Sequence, residues 1–255
     1  MSKLRTLLAP LLAATLLACG GGAAPAPRPA VVDATVPAIP PSAGLVIADA
    51  AMTEDGPGPI PVSSSDPARG SETAPVTLVM FGDFECPFSA KAAHTLAELE
   101  EKYGPSRLRI VFKHDPLPFR KVSPRLHADA ESAFRTGGNA AFWAYFEHVY
   151  LDADRADGFE LIGERAMSAA LRKNPDLGQR LSDAIYDAAT AKVDADIALA
   201  KELGVTGTPA FFINGVRLVG SQDRSRFEAV IDAEPGAARS KLVDGRAPSG
   251  WYAAR

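Results

Sequence analysis

The residues with the most evident chemistry are Cys86-Pro87-Phe88-Ser89. An apolar run of strand length, Val76 to Gly82, leads into them, and a helix-patterned run leads away. A thiol at the first turn of a helix faces unpaired backbone N–H groups and the positive end of the helix dipole. Both stabilise the thiolate, which is the nucleophilic form. Such a thiolate attacks disulfide sulfurs, or is itself oxidised to a sulfenic acid. Two cysteines spaced C-x-x-C close a disulfide and pass it on. Here the fourth position is Ser89, whose hydroxyl forms no disulfide. The chain keeps an attacking thiol and lacks a resolving one beside it. Ser89 is expected to donate a hydrogen bond to the Cys86 sulfur. Asp83 and Glu85 are expected to oppose formation of the thiolate.

The elements that must position this thiol are legible as patterns. Val76 to Gly82 suits a strand buried on both faces. A helix is expected from about Ser89 to Tyr103, with Ala92, Ala93, Leu96 and Leu99 on one face, ending at Gly104-Pro105. Leu108 to Lys113 is the next strand, so this unit should be a right-handed parallel crossover. Pro61-Val62-Ser63 reads as a short edge strand. A helical block follows from about Arg125 to Leu203, broken at Gly137-Gly138, Asp157-Gly158 and Asn174-Pro175, with its last helix over about 176–203. Ala210 to Ile213 and Val216 to Val219 flank Asn214-Gly215, a strong hairpin signal because both turn residues tolerate positive φ. A last helix runs from about Asp223 to Asp232, and the Gly/Ala/Pro-rich tail from 234 to 255 reads as loose.

The N-terminus reads as a leader. Lys3 and Arg5 precede an apolar run from Leu7 to Ala18, too short for a membrane-spanning helix. It ends Leu16-Leu17-Ala18-Cys19, which resembles the lipobox of bacterial lipoproteins. That resemblance implies cleavage after residue 18, a lipid thioether on Cys19 and a membrane anchor in the cell envelope. Gly20 is not the aspartate that retains lipoproteins at the inner membrane in some bacteria, which favours the outer membrane over the inner. Residues 19–58, rich in Gly, Ala and Pro, read as a flexible linker. Fully extended it would reach on the order of 120 Å. The chain has two cysteines, so with Cys19 consumed, Cys86 becomes the sole thiol of an exported protein. The formal charge of −4 implies no broad basic surface for nucleic acid.

The element order is strand, helix, strand, helical block, hairpin, helix. This is an α/β thioredoxin fold with an inserted helical subdomain, here about 120–203. Phe81-Gly82-Asp83-Phe84-Glu85-Cys86-Pro87-Phe88, Pro116-Leu117-Pro118-Phe119 and Gly204-Val205-Thr206-Gly207-Thr208-Pro209-Ala210-Phe211-Phe212-Ile213-Asn214-Gly215 carry a resemblance. The stretch from 59 to 233 resembles the DsbA-like, thioredoxin_4 family of exported thiol-disulfide oxidoreductases. The resemblance implies a cis Thr208-Pro209 bond beside the thiol. It also implies that Pro87, Phe88, Thr208 and Pro209 contact substrate, with the Thr208 backbone pairing an extended segment as an added strand. It implies no cofactor; the partners are protein or small-molecule thiols and disulfides. The chain departs from the family at Ser89 and at Met80, where the family commonly carries a buried acid. Losing the resolving thiol and its proton partner together is consistent with monothiol chemistry at Cys86. A non-catalytic protein that binds clients at a degenerate site remains the alternative.

Other signals carry less. His94, His114, His127 and His148 have no metal-ligand spacing, and no metal site is expected. Asp152 to Gly158 lacks the glutamate of a calcium loop. Phe142-Trp143-Tyr145-Phe146-Tyr150 reads as a core stripe on a helix.

Overall fold

The computed structural model describes residues 60–240. The leader, Cys19, the linker and the end of the tail lie outside the described residues.

The sheet is built around β2 (Val76–Gly82), in which all seven residues are buried. β3 (Leu108–His114) runs parallel to it, with Met80 opposite Phe112 and Gly82 opposite His114. β4 (Ala210–Ile213) runs antiparallel on the other side and continues into β5 (Val216–Val219). The two-residue β1 (Ala68–Arg69) closes the far edge, and the order is β1-β3-β2-β4-β5. Asn214 and Gly215 both take positive φ in the hairpin, 46° and 92°.

The helices are α1 (Pro87–Tyr103), α2 (Ser123–Glu147), α3 (Phe159–Lys173), the short α4 (Leu177–Arg180), α5 (Asp183–Glu202) and α6 (Arg224–Ser240). A π-helical turn, His148–Asp152, follows α2. Alternate residues of β2 serve opposite faces. Val76, Leu78 and Met80 join the larger core with residues of α1, α2, α3 and α6. Val79 and Phe81 join a smaller one with Ala200 of α5, Ile60 and Val62.

Several expectations change. Pro61-Val62-Ser63 is not a strand: the Asp66 carboxylate accepts the Ser63 N–H at 2.8 Å and turns the chain there. The edge strand forms later, at β1. Gly138 does not end α2; with φ 66° it kinks a helix that continues. The helix expected over 176–203 is divided, because Ser182 caps the start of α5 by accepting the Ile185 N–H. The last helix runs past Asp232 to Ser240, into the stretch expected to be loose.

The α5 face of the sheet carries a buried charge network. Lys113 of β3 donates to Asp66 at 2.6 Å and lies 3.4 Å from Asp196. Lys192 reaches Asp66 at 2.9 Å and Asp196 at 2.6 Å. Burial alone would raise the Asp66 carboxyl, but Lys192 and Lys113 outweigh it and hold it below its ordinary 3.8. The network fastens the entry segment, β3 and α5 together. Removing one member strands opposite charges away from water. Lys113→Met is therefore expected to cost about 3 kcal/mol in urea unfolding at pH 7. Arg224→Ala, an exposed side chain paired with exposed Glu98 and half-buried Glu228, should cost under about 1 kcal/mol. Asp66 contributes above its unfolded value of 3.8, and its share disappears as pH falls through its lower folded value. The deficit of Lys113→Met should therefore narrow in strong acid.

Candidate functional site

β2 delivers the chain to a four-residue loop, 83–86, and α1 starts at once. Cys86 is the N-cap, in extended conformation (φ −79°, ψ 120°), and Pro87 occupies the first helical position, where a missing N–H costs nothing. The Cys86 carbonyl accepts the Ala90 N–H at 3.1 Å, which opens the helix. The thiol is 3% exposed and is the free cysteine of the described residues. Its S–H donates to the Thr208 carbonyl at 3.2 Å. The Thr208–Pro209 bond is cis. Pro87 is exposed, as is Phe88 at 61%. The structure thus brings Cys86, Thr208 and Pro209 together and sets Pro87 and Phe88 on the adjoining surface.

Each backbone N–H of the loop has an acceptor. Asp83 donates to the Ser89 hydroxyl at 3.4 Å, and Phe84 to His127 Nε2 at 3.3 Å. Glu85 donates to the Asp83 carboxylate at 2.8 Å, and Cys86 to the Asp83 carbonyl at 2.9 Å. This corrects the expectation for Ser89. Its side chain is fully buried, and among the described residues no hydrogen bond joins it to the sulfur. It accepts from the loop because it points inward from the helix start.

Asp83 and Glu85 also make hydrogen bonds that the sequence did not announce. Besides Glu85, Asp83 accepts the Leu117 N–H at 2.8 Å and the Ser123 hydroxyl at 2.6 Å. Glu85 accepts the Val122 and Ser123 N–H groups at the start of α2, where the helix dipole favours an anion. The two carboxylates pin both ends of the segment 117–123 to the thiol loop. Between the pins stands Phe119, 70% exposed, with the Arg120 guanidinium over its ring.

Met80 is fully buried under the site. A Cβ on Gly82 would meet Met80 Cε at 2.9 Å and Phe112 Cε2 at 2.8 Å, so a side chain there would force the end of Met80 and the Phe112 ring to shift. Phe84 turns inward and packs on Phe112, His127, Tyr145 and Tyr150, with ring centroids 4.6–5.6 Å apart. The aromatic stripe of α2 and the π-helical turn after it is core, as read, and it supports the loop through this ring. Sequence reasoning did not pair His114 with His127, which lie on different elements but meet at 2.8 Å in the interior. The signal was their chain spacing with Glu131 and Arg135: positions 127, 131 and 135 share one helix face. Among the described residues no three potential ligands cluster as a metal site.

Asp115 follows β3, and its N–H donates to the Gly82 carbonyl at 3.0 Å. Burial, then Asp83 and Asp196, push its carboxyl up to about 6. Unfolded, it releases its proton near 3.8, so stability falls as pH rises from about 4 to 6. Asp115→Asn is expected to flatten that slope and to raise the thermal midpoint at pH 7 but not at pH 3.5.

The geometry has counterparts. Among curated proteins, the Na(+)/H(+) antiporter NhaA 1 of Salinispora arenicola is 32% identical over 184 residues, which is 72% of this chain and 27% of the antiporter. NhaA of Nitrosospira multiformis is 34% identical over 65% of this chain and 26% of its own length. The chain therefore spans about a quarter of the length of these relatives. Among solved structures, the catalytic domain of Proteus mirabilis ScsC superposes with TM-score 0.54 at 22% identity, over 68% of this chain and 91% of that one. Oxidised BdbD from Bacillus subtilis gives 0.55 at 18% identity, over 69% and 96%. At these identities the structures bear on fold alone. The thioredoxin family model Thioredoxin_4 matches residues 63–233, the stretch holding the thiol loop, the whole sheet and the Thr208–Pro209 turn, and the chain belongs to that family.

Proposed function

We propose that this protein is a membrane-tethered thiol-disulfide exchange protein that works through Cys86 alone. The observation that carries the reading is the Cys86 sulfur at the N-terminus of α1, 3.2 Å from the Thr208 carbonyl. That contact uses the proton of the resting thiol. A client segment that pairs with the Thr208 backbone as an added strand competes for the same carbonyl. It thereby frees the thiol as it brings its own disulfide alongside.

The Cys86 thiolate then attacks one client sulfur. A Cys86–client S–S bond forms, the client S–S bond breaks, and the departing client thiolate takes up a proton. Ser89 has no thiol with which to release the adduct. An external thiol, or the client's own freed thiol, must attack the mixed disulfide. The second route isomerises client disulfides. With a glutathionylated or sulfenic-acid client, the same thiol deglutathionylates or reduces, again needing an outside thiol to finish. Pro87, Phe88, Thr208 and Pro209 form the client-contacting surface in this reading, and Ser89 holds the loop.

The lipobox at Cys19 supports the tether, and 19–58 supplies the reach to act at a distance from the membrane, with the domain in the periplasm and the outer membrane favoured. Relatives that carry a like segment as a quarter of a Na(+)/H(+) antiporter are consistent with such a domain working beside a membrane. Among the described residues no helix is long and apolar enough to cross one. Cys19→Ser should move the protein from the membrane fraction to the soluble fraction of cells, and a membrane-bound variant would exclude the lipid anchor.

A second reading, client binding without redox chemistry, is favoured by Met80 and Ser89, both fully buried where the family uses an acid and a thiol. Acid quenching and alkylation of cells should trap Cys86-dependent adducts, visible on non-reducing gels. Cys86→Ala should abolish them. Client capture that survives Cys86→Ala would establish the binding reading instead. Ser89→Cys supplies a resolving thiol and should shorten adduct lifetime at least tenfold.

A further inference from the structure

Beneath the thiol loop, four groups from α2, β3 and the loop form one buried line. Glu131 Oε2 lies 3.3 Å from His114 Nε2. His114 Nδ1 lies 2.8 Å from His127 Nδ1. His127 Nε2 lies 3.3 Å from the Phe84 N–H, two residues before Cys86. All three side chains are fully buried. Arg135 Nε stands 2.9 Å from the other Glu131 oxygen and balances its charge.

The protons in this line follow from its two ends. A backbone N–H only donates, so His127 Nε2 accepts. A carboxylate only accepts, so His114 Nε2 carries a proton. One Nδ1 must donate to the other. His114, neutral with its proton on Nε2, accepts at Nδ1, and His127 therefore carries its proton on Nδ1. Both rings are satisfied as neutral imidazoles, each in one tautomer. Burial and the neighbouring His114 hold His127 well below its ordinary range, in keeping with a neutral ring.

We propose that His127 is a positioning residue for Cys86, and that Glu131, acting through His114, fixes the tautomer in which His127 can hold the Phe84 N–H. The other loop N–H acceptors, Ser89 and Asp83, belong to the loop and its own helix. His127 is the acceptor that ties a loop N–H to the helical subdomain. The wrong tautomer would turn Nε2–H against the Phe84 N–H, two donors facing each other in an aromatic core. The loop would lift, and with it the thiol from its place at the head of α1. This deepens the exchange reading and rests on Cys86 being its reactive group.

Glutamine can stand in for His127, since its amide oxygen accepts from Phe84 while its NH2 donates to His114; leucine can do neither. The full-length protein is compared with His127→Gln and His127→Leu in the rate at which Cys86 reacts with an aromatic disulfide, below the unfolding transition of each. His127→Leu should slow the reaction about tenfold, roughly one hydrogen bond's worth. His127→Gln should stay within about twofold of wild type. Equal rates for wild type and His127→Leu would overturn the proposal, as would His127→Gln reacting as slowly as His127→Leu. If His127→Leu does not fold, 15N NMR of the wild type decides. The proposal requires His127 protonated on Nδ1 and His114 on Nε2, and any other pair of tautomers overturns it. Neither measurement uses a client, so failure to trap clients in cells would count against the exchange reading and leave this result standing.

Discussion

Burying a carboxylate costs several kcal/mol unless donors surround it, and Asp83 is surrounded. It lies at the end of the central strand, fully buried, and takes donors from Glu85, Leu117 and Ser123. Those donors come from the thiol loop, from the connection after β3 and from the first residue of α2. One charge therefore joins the thioredoxin core to the helical subdomain within three residues of the thiol. Glu85 repeats the arrangement at the head of α2. The placement of Cys86 and of the apolar surface at Phe119 depends on these two carboxylates keeping their donors.

The two faces of the sheet are held by different means. On the α5 face, Lys113 and Lys192 share Asp66 and Asp196, and the four charges close on themselves. Such a network specifies which segments meet more than it adds net stability. On the other face the rings of Phe84, Phe112, Phe142 and Phe146 pack edge to face and offset. β3 serves both, because successive residues point to opposite sides: Lys113 enters the charge network and His114 the aromatic side. The strand is the hinge of both arrangements, and the thiol loop sits where it ends.

Ser89 changes meaning in this setting. As a missing cysteine it removes the internal resolving step. As a buried hydroxyl it accepts the first N–H of the thiol loop, a bond that a thiol, a weaker acceptor, would make less well. Met80 likewise fills volume against Gly82 and Phe112. Both substitutions leave a loop that is well held and a thiol without an internal successor.

Much of this was legible in the residues alone. The apolar run 76–82, the stop at Gly104-Pro105 and the Asn214-Gly215 turn announce β2, the end of α1 and the β4–β5 hairpin, because burial period and turn chemistry are local properties. Cys86 at a strand–helix junction announced the attacking thiol through a local pattern too, whereas Thr208-Pro209 was placed beside it only by what the family resemblance implies. What stayed hidden involves partners far apart in the chain. Asp83 and Glu85 read as charges that oppose a thiolate, and only the folded chain brings Leu117, Val122 and Ser123 to them. Ser89 read as a donor to the sulfur until the start of α1 turned it inward. His114 and His127 read as scattered histidines, since nothing local says that the end of a strand and the first turns of a helix will meet at 2.8 Å. Sequence by itself determined the central strands, the hairpin, most of the helices and the attacking thiol, because those rest on near-neighbour physics. Tertiary structure decided which polar groups face one another, because hydrogen-bond partners are set by where buried chain segments converge.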